Sequence, residues 1–284
     1  MMTAFRCPRR LMAALALLLF ATGAHAQAQP AQKSYEPQPY QEGKDVIWLP
    51  TPQELVDKML QMAQVGPKDF VIDLGSGDGR TVITAAKKFG ARAMGIEYNP
   101  EMVEYSTRAA QKEGVAGKVK FMKADLFETD FSAATVVTMY LLSTLNLKLR
   151  PVILDLKPGT RVVSHAFDMG EWKPDRTETV EGKTAYLWIV PAKVAGAWQL
   201  PQGELTLRQN FQAVEGTLKL GERVTPIANG RLRGDRLSFR AGGAEYSGKV
   251  GGNSIEGSVK SGGNQSKWSA TRRADSPASA PKSP

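Results

Sequence analysis

Three glycines at alternate positions, flanked by carboxylates, are the part of this 284-residue sequence best suited to chemistry. They stand in Val71-Ile-Asp-Leu-Gly-Ser-Gly-Asp-Gly-Arg80, where an apolar run ends at Leu74 and a helical pattern begins near Thr81. Glycine tolerates positive φ and lets backbone approach a ligand closely, while the first N–H groups of the following helix lack partners. Strand, glycine loop and helix in this order serve dinucleotides or S-adenosylmethionine. The dinucleotide fingerprint is G-x-G-x-x-G, with an anionic pyrophosphate on the helix N-terminus. Here the spacing is G-x-G-x-G, with Asp73 before it and Asp78 inside it. Two carboxylates repel a pyrophosphate but accept hydrogen bonds from an ammonium, so the charge pattern favours S-adenosylmethionine. No Gly-Lys-Ser/Thr follows, which excludes a Walker-type loop.

Two further acids end successive apolar runs: Glu97 in Met94-Gly-Ile-Glu-Tyr-Asn-Pro and Asp125 in Phe121-Met-Lys-Ala-Asp-Leu. A carboxylate at the first of these positions in a doubly wound sheet can hold both ribose hydroxyls. Asp125 is suited to an adenine amino group. After a fourth run, Tyr140 and then Asn146 are the candidates for shaping the acceptor channel and carrying the catalytic step. His165, at the end of a fifth run, reads as a packed histidine rather than a base. Trp172, Trp188 and Trp198 read as packing residues.

The elements that position these groups follow from periodicity. Short apolar runs at 70–74, 91–96, 119–122, 135–141 and 160–164 are predicted strands. Helical spacing covers 54–62, 81–89, 100–113 and 146–156, with Thr51 as the cap of the first helix. Strands separated by helices imply parallel βαβ units and an α/β doubly wound, Rossmann-like sheet. Near residue 195 the texture changes to alternating apolar and polar residues between glycine-rich turns. That pattern predicts a small all-β meander closing toward a barrel.

From about Thr51 to Val190 the sequence resembles class I S-adenosylmethionine-dependent methyltransferases. Trp48-Leu-Pro-Thr-Pro together with Asp73-Leu-Gly-Ser-Gly-Asp-Gly-Arg makes it similar to the small lysine-directed methyltransferases and their prokaryotic relatives. The resemblance implies that Asp73, Gly75 and Gly77 hold the aminoacyl end, Glu97 the ribose, and Asp125 with Leu126 the adenine. The candidate cofactor-binding set is Asp73, Gly75, Ser76, Gly77, Gly79, Glu97, Tyr98, Asp125 and Leu126. S-adenosylmethionine is the implied methyl donor, and a protein lysine the implied acceptor. A binding protein that keeps the nucleoside pocket without catalysis is the alternative. The Asn-Pro-Pro-Tyr motif that follows the fourth strand in many amino-group methyltransferases is replaced here by Tyr140-Leu-Leu-Ser-Thr-Leu-Asn. The resemblance does not extend to the β region.

Composition bounds the remaining possibilities. The net charge is +9, yet residues 27–200 carry 21 basic and 21 acidic side chains, and the excess lies at the two ends. A neutral central region lacks the cationic track that phosphate backbones require, so nucleic acid is not the expected partner. The single cysteine excludes disulfide frameworks and cysteine-rich metal sites. Arg6, Arg9 and Arg10 precede an apolar stretch from Leu11 to Phe20, and Ala24-His-Ala26 supplies a small-x-small cleavage site. The expected layout is a signal peptide at 1–26 and a linker at 27–44. A methyltransferase domain at 45–194, an all-β accessory domain at 195–273 and a tail at 274–284 follow. An exported, periplasmic bacterial enzyme with no stable membrane span is the corresponding expectation.

Overall fold

The computed structural model describes residues 35–274. The expected signal peptide lies outside the described residues, as does most of the expected tail. Among the described residues no helix is long and apolar enough to cross a membrane.

A seven-stranded sheet follows the expected alternation. Its elements are α1 (Gln53–Met62), β1 (Phe70–Leu74), α2 (Arg80–Phe89), β2 (Arg92–Glu97), α3 (Pro100–Lys112) and β3 (Val119–Lys123). Then come β4 (Val136–Met139), α4 (Ser143–Leu154), β5 (Arg161–His165), β6 (Arg176–Val180) and β7 (Lys183–Ile189). The strand order is β3-β2-β1-β4-β5-β7-β6. β1 to β5 run parallel, whereas β7 pairs antiparallel with both β5 and β6. β1 and β4 lie side by side although two strands separate them in the chain. The connection therefore reverses direction between them, and a crevice opens beyond their C-terminal ends.

Alternation along the central strands builds one core on each face. Val71, Val136 and Val163 pack under α1 and α2, through Leu55, Met59 and Leu60 of α1 and Val82 and Ala85 of α2. Ile72, Leu74, Val137, Met139 and Val162 meet Leu149 and Ile153 of α4, with Trp172 and Trp188. Strands buried on both faces are the mark of a parallel sheet covered on both sides.

Several elements depart from the expectations. The hairpin β6–β7 is unforeseen; its two turn residues, Glu181 and Gly182, both have positive φ, as a type I′ turn requires. β4 stops at Met139, so Tyr140 and Leu141 leave the sheet. α4 starts at Ser143, which carries Asn146 onto the buried face. Thr51 does not cap α1, whose N-cap is Pro52; the Thr51 hydroxyl instead lies 3.0 Å from His165 Nδ1.

The second sheet has nine strands, all antiparallel. They are β8 (Gly196–Leu200), β9 (Gly203–Asn210), β10 (Ala213–Leu220), β11 (Arg223–Pro226) and β12 (Ala228–Arg233). β13 (Arg236–Ala241), β14 (Ala244–Gly251), β15 (Ser254–Ser261) and β16 (Asn264–Arg272) complete it. β9 pairs with β10 as well as with β8, which closes the meander into a barrel. Its interior is filled by Trp198, Leu205, Leu207, Leu232, Phe239, Tyr246 and Trp268 among others. It is a packed core and not a lumen.

The two sheets meet through the β9–β10 turn. Phe211 stacks on Trp172 with ring centroids 6.0 Å apart, and the buried Gln212 donates Nε2 to the Lys173 carbonyl at 2.7 Å. Arg231 bonds Asp175 at 2.6 Å. Trp188 and Trp198 stay within their own cores, bonded to the Trp172 and Val194 carbonyls. Phe211→Ala is expected to lower stability by about 1–3 kcal/mol, below a fully buried Phe deletion because the ring is only partly covered. Urea unfolding of the variant against the parent chain measures this.

Candidate active site

The glycine loop turns because Gly75, Gly77 and Gly79 all adopt positive φ, at 74°, 52° and 79°. The Gly75 and Ser76 amides donate to the Ile96 carbonyl at 2.9 and 3.0 Å, which ties the loop to the end of β2. The Gly77 amide donates to Glu97 Oε2 at 2.8 Å, and the Asn99 amide donates to Oε1 at 2.9 Å. One carboxylate thus holds the loop and the start of α3 together.

Above the loop lies a strap, in the stretch expected to be linker and domain edge. The Tyr40 amide donates to the Trp48 carbonyl and the Trp48 amide to the Gln41 carbonyl, both at 2.9 Å, folding residues 40–48 back on themselves. The Trp48 indole rests on Gly77, where an added Cβ would come within 2.8 Å of its Cδ1. Arg80 binds Asp78 through Nε and Nη2 at 2.9 and 2.6 Å, and donates Nη1 to the Thr51 carbonyl at 2.9 Å. Lys44 pairs with Asp125 and lies 5.0 Å over the Tyr98 ring. Asp78 is therefore matched by Arg80, and the charge argument against a pyrophosphate rests on Asp73 and Glu97.

Strap, loop and strand ends enclose a cleft of about 540 Å³. Asp73, Gly75, Ser76, Glu97, Tyr98, Asp125, Leu126 and Tyr140 line it. Three of the expected residues do not. Gly77 lies under Trp48, and Gly79 packs against Phe121 and Ser106 as the N-cap of α2. Asn146 is fully buried, and its Nδ2 donates to Ser164 Oγ and to the Phe167 and Asp168 carbonyls at 3.0–3.2 Å. It braces the loop after β5 and does not reach the cleft. That loop carries Ala166 at φ 64°, a left-handed conformation that a non-glycine residue rarely adopts.

The site also contains residues that the linear pattern does not single out: Lys44, Arg80, Phe167, and the strap around Trp48. The Leu-Pro-Thr-Pro run is visible in the sequence, but nothing in its composition says that it folds over the glycine loop. Gly95 is equally silent. Any side chain there would collide with Ser76 and Phe121, so it lets the loop settle on β2.

The cleft suits S-adenosylmethionine. Ile96, Leu126, Leu141 and Leu142 give it apolar walls for a base, and Glu97 stands at the end of β2 where ribose hydroxyls would lie. Ser76 Oγ is buried with no partner among the described residues. Asp73 would supply the anion for an ammonium. Burial pushes its carboxyl up to about 7, the neighbouring Asp78 and Glu97 charges add to this, and the Thr138 hydroxyl bond at 2.6 Å works against it.

The far end of the cleft is aromatic and neutral. Tyr140 lies against His165 with ring centroids 3.8 Å apart, and against Phe167 at 6.0 Å. Burial lowers His165 to about 4, helped by the Lys183 charge, so the ring is uncharged at neutral pH. Burial also raises the Tyr140 phenol above its usual range.

Residues 73–176 match the ANTKMT methyltransferase domain family. The protein-lysine N-methyltransferase of Saccharolobus islandicus is 44% identical over 151 residues, covering 51% of this chain and 94% of that protein. The chain belongs to the protein-lysine N-methyltransferase family. This methyltransferase is also 36% identical over 121 residues to the adenine nucleotide translocase lysine N-methyltransferase of Mus musculus, covering 42% of this chain and 52% of that protein. A crystal structure named as an RNA methyltransferase from Salinibacter ruber, in complex with S-adenosyl-L-homocysteine, superposes with a TM-score of 0.51. It is 53% identical, covering 51% of this chain and 96% of that one. S-adenosylmethionine is accordingly the methyl donor of this enzyme. None of these matches reaches the whole chain, and the barrel lies beyond the matched family domain.

The Asp73 carboxyl gives this methyltransferase a pH signature. A bound ammonium favours the carboxylate, so below about 7 part of the binding energy goes into removing a proton. S-adenosylhomocysteine affinity should therefore rise by about tenfold from about pH 6 to about pH 8. Asp73→Asn should flatten that rise; calorimetric titration across the range measures both.

Proposed function

We propose that this enzyme transfers a methyl group to the ε-amine of lysine in a protein substrate. The observation that carries the reading is the uncharged aromatic wall of Tyr140 and Phe167 at the end of the cofactor cleft, backed by the buried His165 ring against Tyr140. The donor, when bound, supplies an electrophilic methyl on a sulfonium; the N–C bond forms as the S–C bond breaks, and the electron pair stays on sulfur. The attacking amine must be neutral, so the site has to favour the unprotonated form.

The chain's own residues do this by what they withhold. The aromatic faces of Tyr140 and Phe167 give an alkylammonium a place to dock. The low-dielectric wall then favours loss of its proton to water before the amine reaches the donor. His165 does not accept that proton, since burial holds it far below neutral pH and Thr51 occupies Nδ1. Tyr140 stays a neutral phenol and orients the amine lone pair. Positioning in this sense supplies much of the acceleration of an in-line displacement. Asn146 acts through the Phe167 and Asp168 carbonyls, holding the wall in place.

The similarity to a structure named as an RNA methyltransferase raises a second reading. Against it, the cations at the cleft, Lys44 and Arg80, are both committed to carboxylates. Among the described residues a phosphate backbone would find no free row of positive charge there. The first 26 residues, with three arginines, an apolar stretch and a small-x-small site, support export to the periplasm.

The test is to supply labelled donor with lysine-bearing proteins and, separately, with RNA. Mass spectrometry should find methyl groups on lysine. Tyr140→Ala should lower kcat by about tenfold or more while S-adenosylhomocysteine affinity stays within about twofold, because the wall acts on the acceptor. Label found in RNA and absent from protein would overturn the reading.

A further inference from the structure

The outer face of the barrel collects positive charge in a pattern that strand pairing makes unfavourable by itself. Register places Arg233 of β12 opposite Arg236 of β13, and Arg236 opposite Lys249 of β14. Like charges in directly opposed positions repel one another across a sheet. Two residues along on the same face, Arg231 stands opposite Ser238, Ser238 opposite Ser247, and Ser247 opposite Ser258. The four cations and three hydroxyls line one cavity of about 540 Å³, separate from the methyl-transfer cleft.

The acids nearby leave the row undercompensated. Asp175 takes Arg231 at 2.6 Å. Asp235 lies 3.8 Å from Arg236 and 3.6 Å from Lys249, beyond hydrogen-bond distance, and serves both. Among the described residues, Glu256 is the one acid lining the cavity, opposite Lys249. Arg233 has no carboxylate partner among the described residues.

We propose that this shelf binds a phosphate group, carried by a soluble ester or by a lipid headgroup. Arg233 and Arg236 supply planar forks that match phosphate oxygens in pairs. Ser238, Ser247 and Ser258 place hydroxyls on the floor, held only by long contacts of 3.3–3.5 Å to the Arg231 carbonyl and to one another, which a phosphate oxygen would replace. Among the described residues no aromatic ring lines the cavity, so stacking of a nucleobase or sugar is not served. A phosphate between the two arginines would relieve the repulsion that the register imposes, which is the reason for placing it there. The inference stands on the barrel alone and does not depend on the acceptor of the methyl group.

Inorganic phosphate titrated calorimetrically into the full chain at low salt should bind saturably. Arg233→Gln with Arg236→Gln should weaken it by about tenfold, as loss of charge-assisted contacts does. Ser247→Leu, which fills the floor and leaves the charge unchanged, should also weaken it. Urea unfolding followed through the barrel-core tryptophans Trp198 and Trp268 reports that the barrel of both variants is folded, and S-adenosylhomocysteine binding should not change. Phosphatidylglycerol vesicles, compared with phosphatidylcholine, separate the two sources. Cosedimentation that both variants abolish assigns a headgroup; no cosedimentation alongside phosphate binding assigns a soluble ester. Absence of saturable phosphate binding, or binding that Ser247→Leu leaves intact, would reduce the shelf to diffuse surface charge and overturn the proposal.

Discussion

A loop that turns on three left-handed glycines has almost no side chains with which to hold itself in place. Beyond one internal bond, from the Gly79 amide to the Ser76 carbonyl, and the Arg80 clasp on Asp78, residues 75–79 are fixed from elsewhere: the Ile96 carbonyl below, the Glu97 carboxylate beside it, and Trp48 above. That constraint organises the site. Glu97 is at once a loop brace and the carboxylate that ends β2 on the cleft. Arg80 joins the loop acid Asp78 to the strap carbonyl of Thr51, whose hydroxyl continues to His165 and so to the aromatic wall. Cofactor cleft and acceptor wall are thereby linked through one strap residue.

Much of this is legible in the sequence for a physical reason. Buried parallel strands must be short and apolar on both faces, so β1, β2, β4 and β5 announce themselves within a residue or two. The acids that end them are equally visible, because a carboxylate after an apolar run has to emerge where the crevice lies. The strap is not legible. Gln, Pro and Tyr without a period give no sign of tertiary partners, and Trp48 finds Gly77 only because glycine leaves a bare surface there.

Asn146 shows a different kind of limit. A polar residue soon after a strand end reads as facing the crevice. The helix begins at Ser143, however, and Asn146 then shares a face with Leu149 and Ile153, which turns it into the core. Its amide meets carbonyls of the wall loop instead of substrate. The β6–β7 hairpin escapes a linear reading because alternating strands at a sheet edge differ in pattern from buried ones, although Glu181-Gly182 is a usable turn signal. In the barrel, by contrast, strict alternation carries the architecture, and register then exposes the row of opposed cations that no linear reading would align.

The central claim is that strap and glycine loop form one cofactor-holding unit. Hydrogen–deuterium exchange with and without S-adenosylhomocysteine tests it most directly. The account requires amides of residues 75–79 and of residues 40–51 to gain protection together when the ligand binds. Protection confined to the loop, with exchange in the strap unchanged, would contradict it.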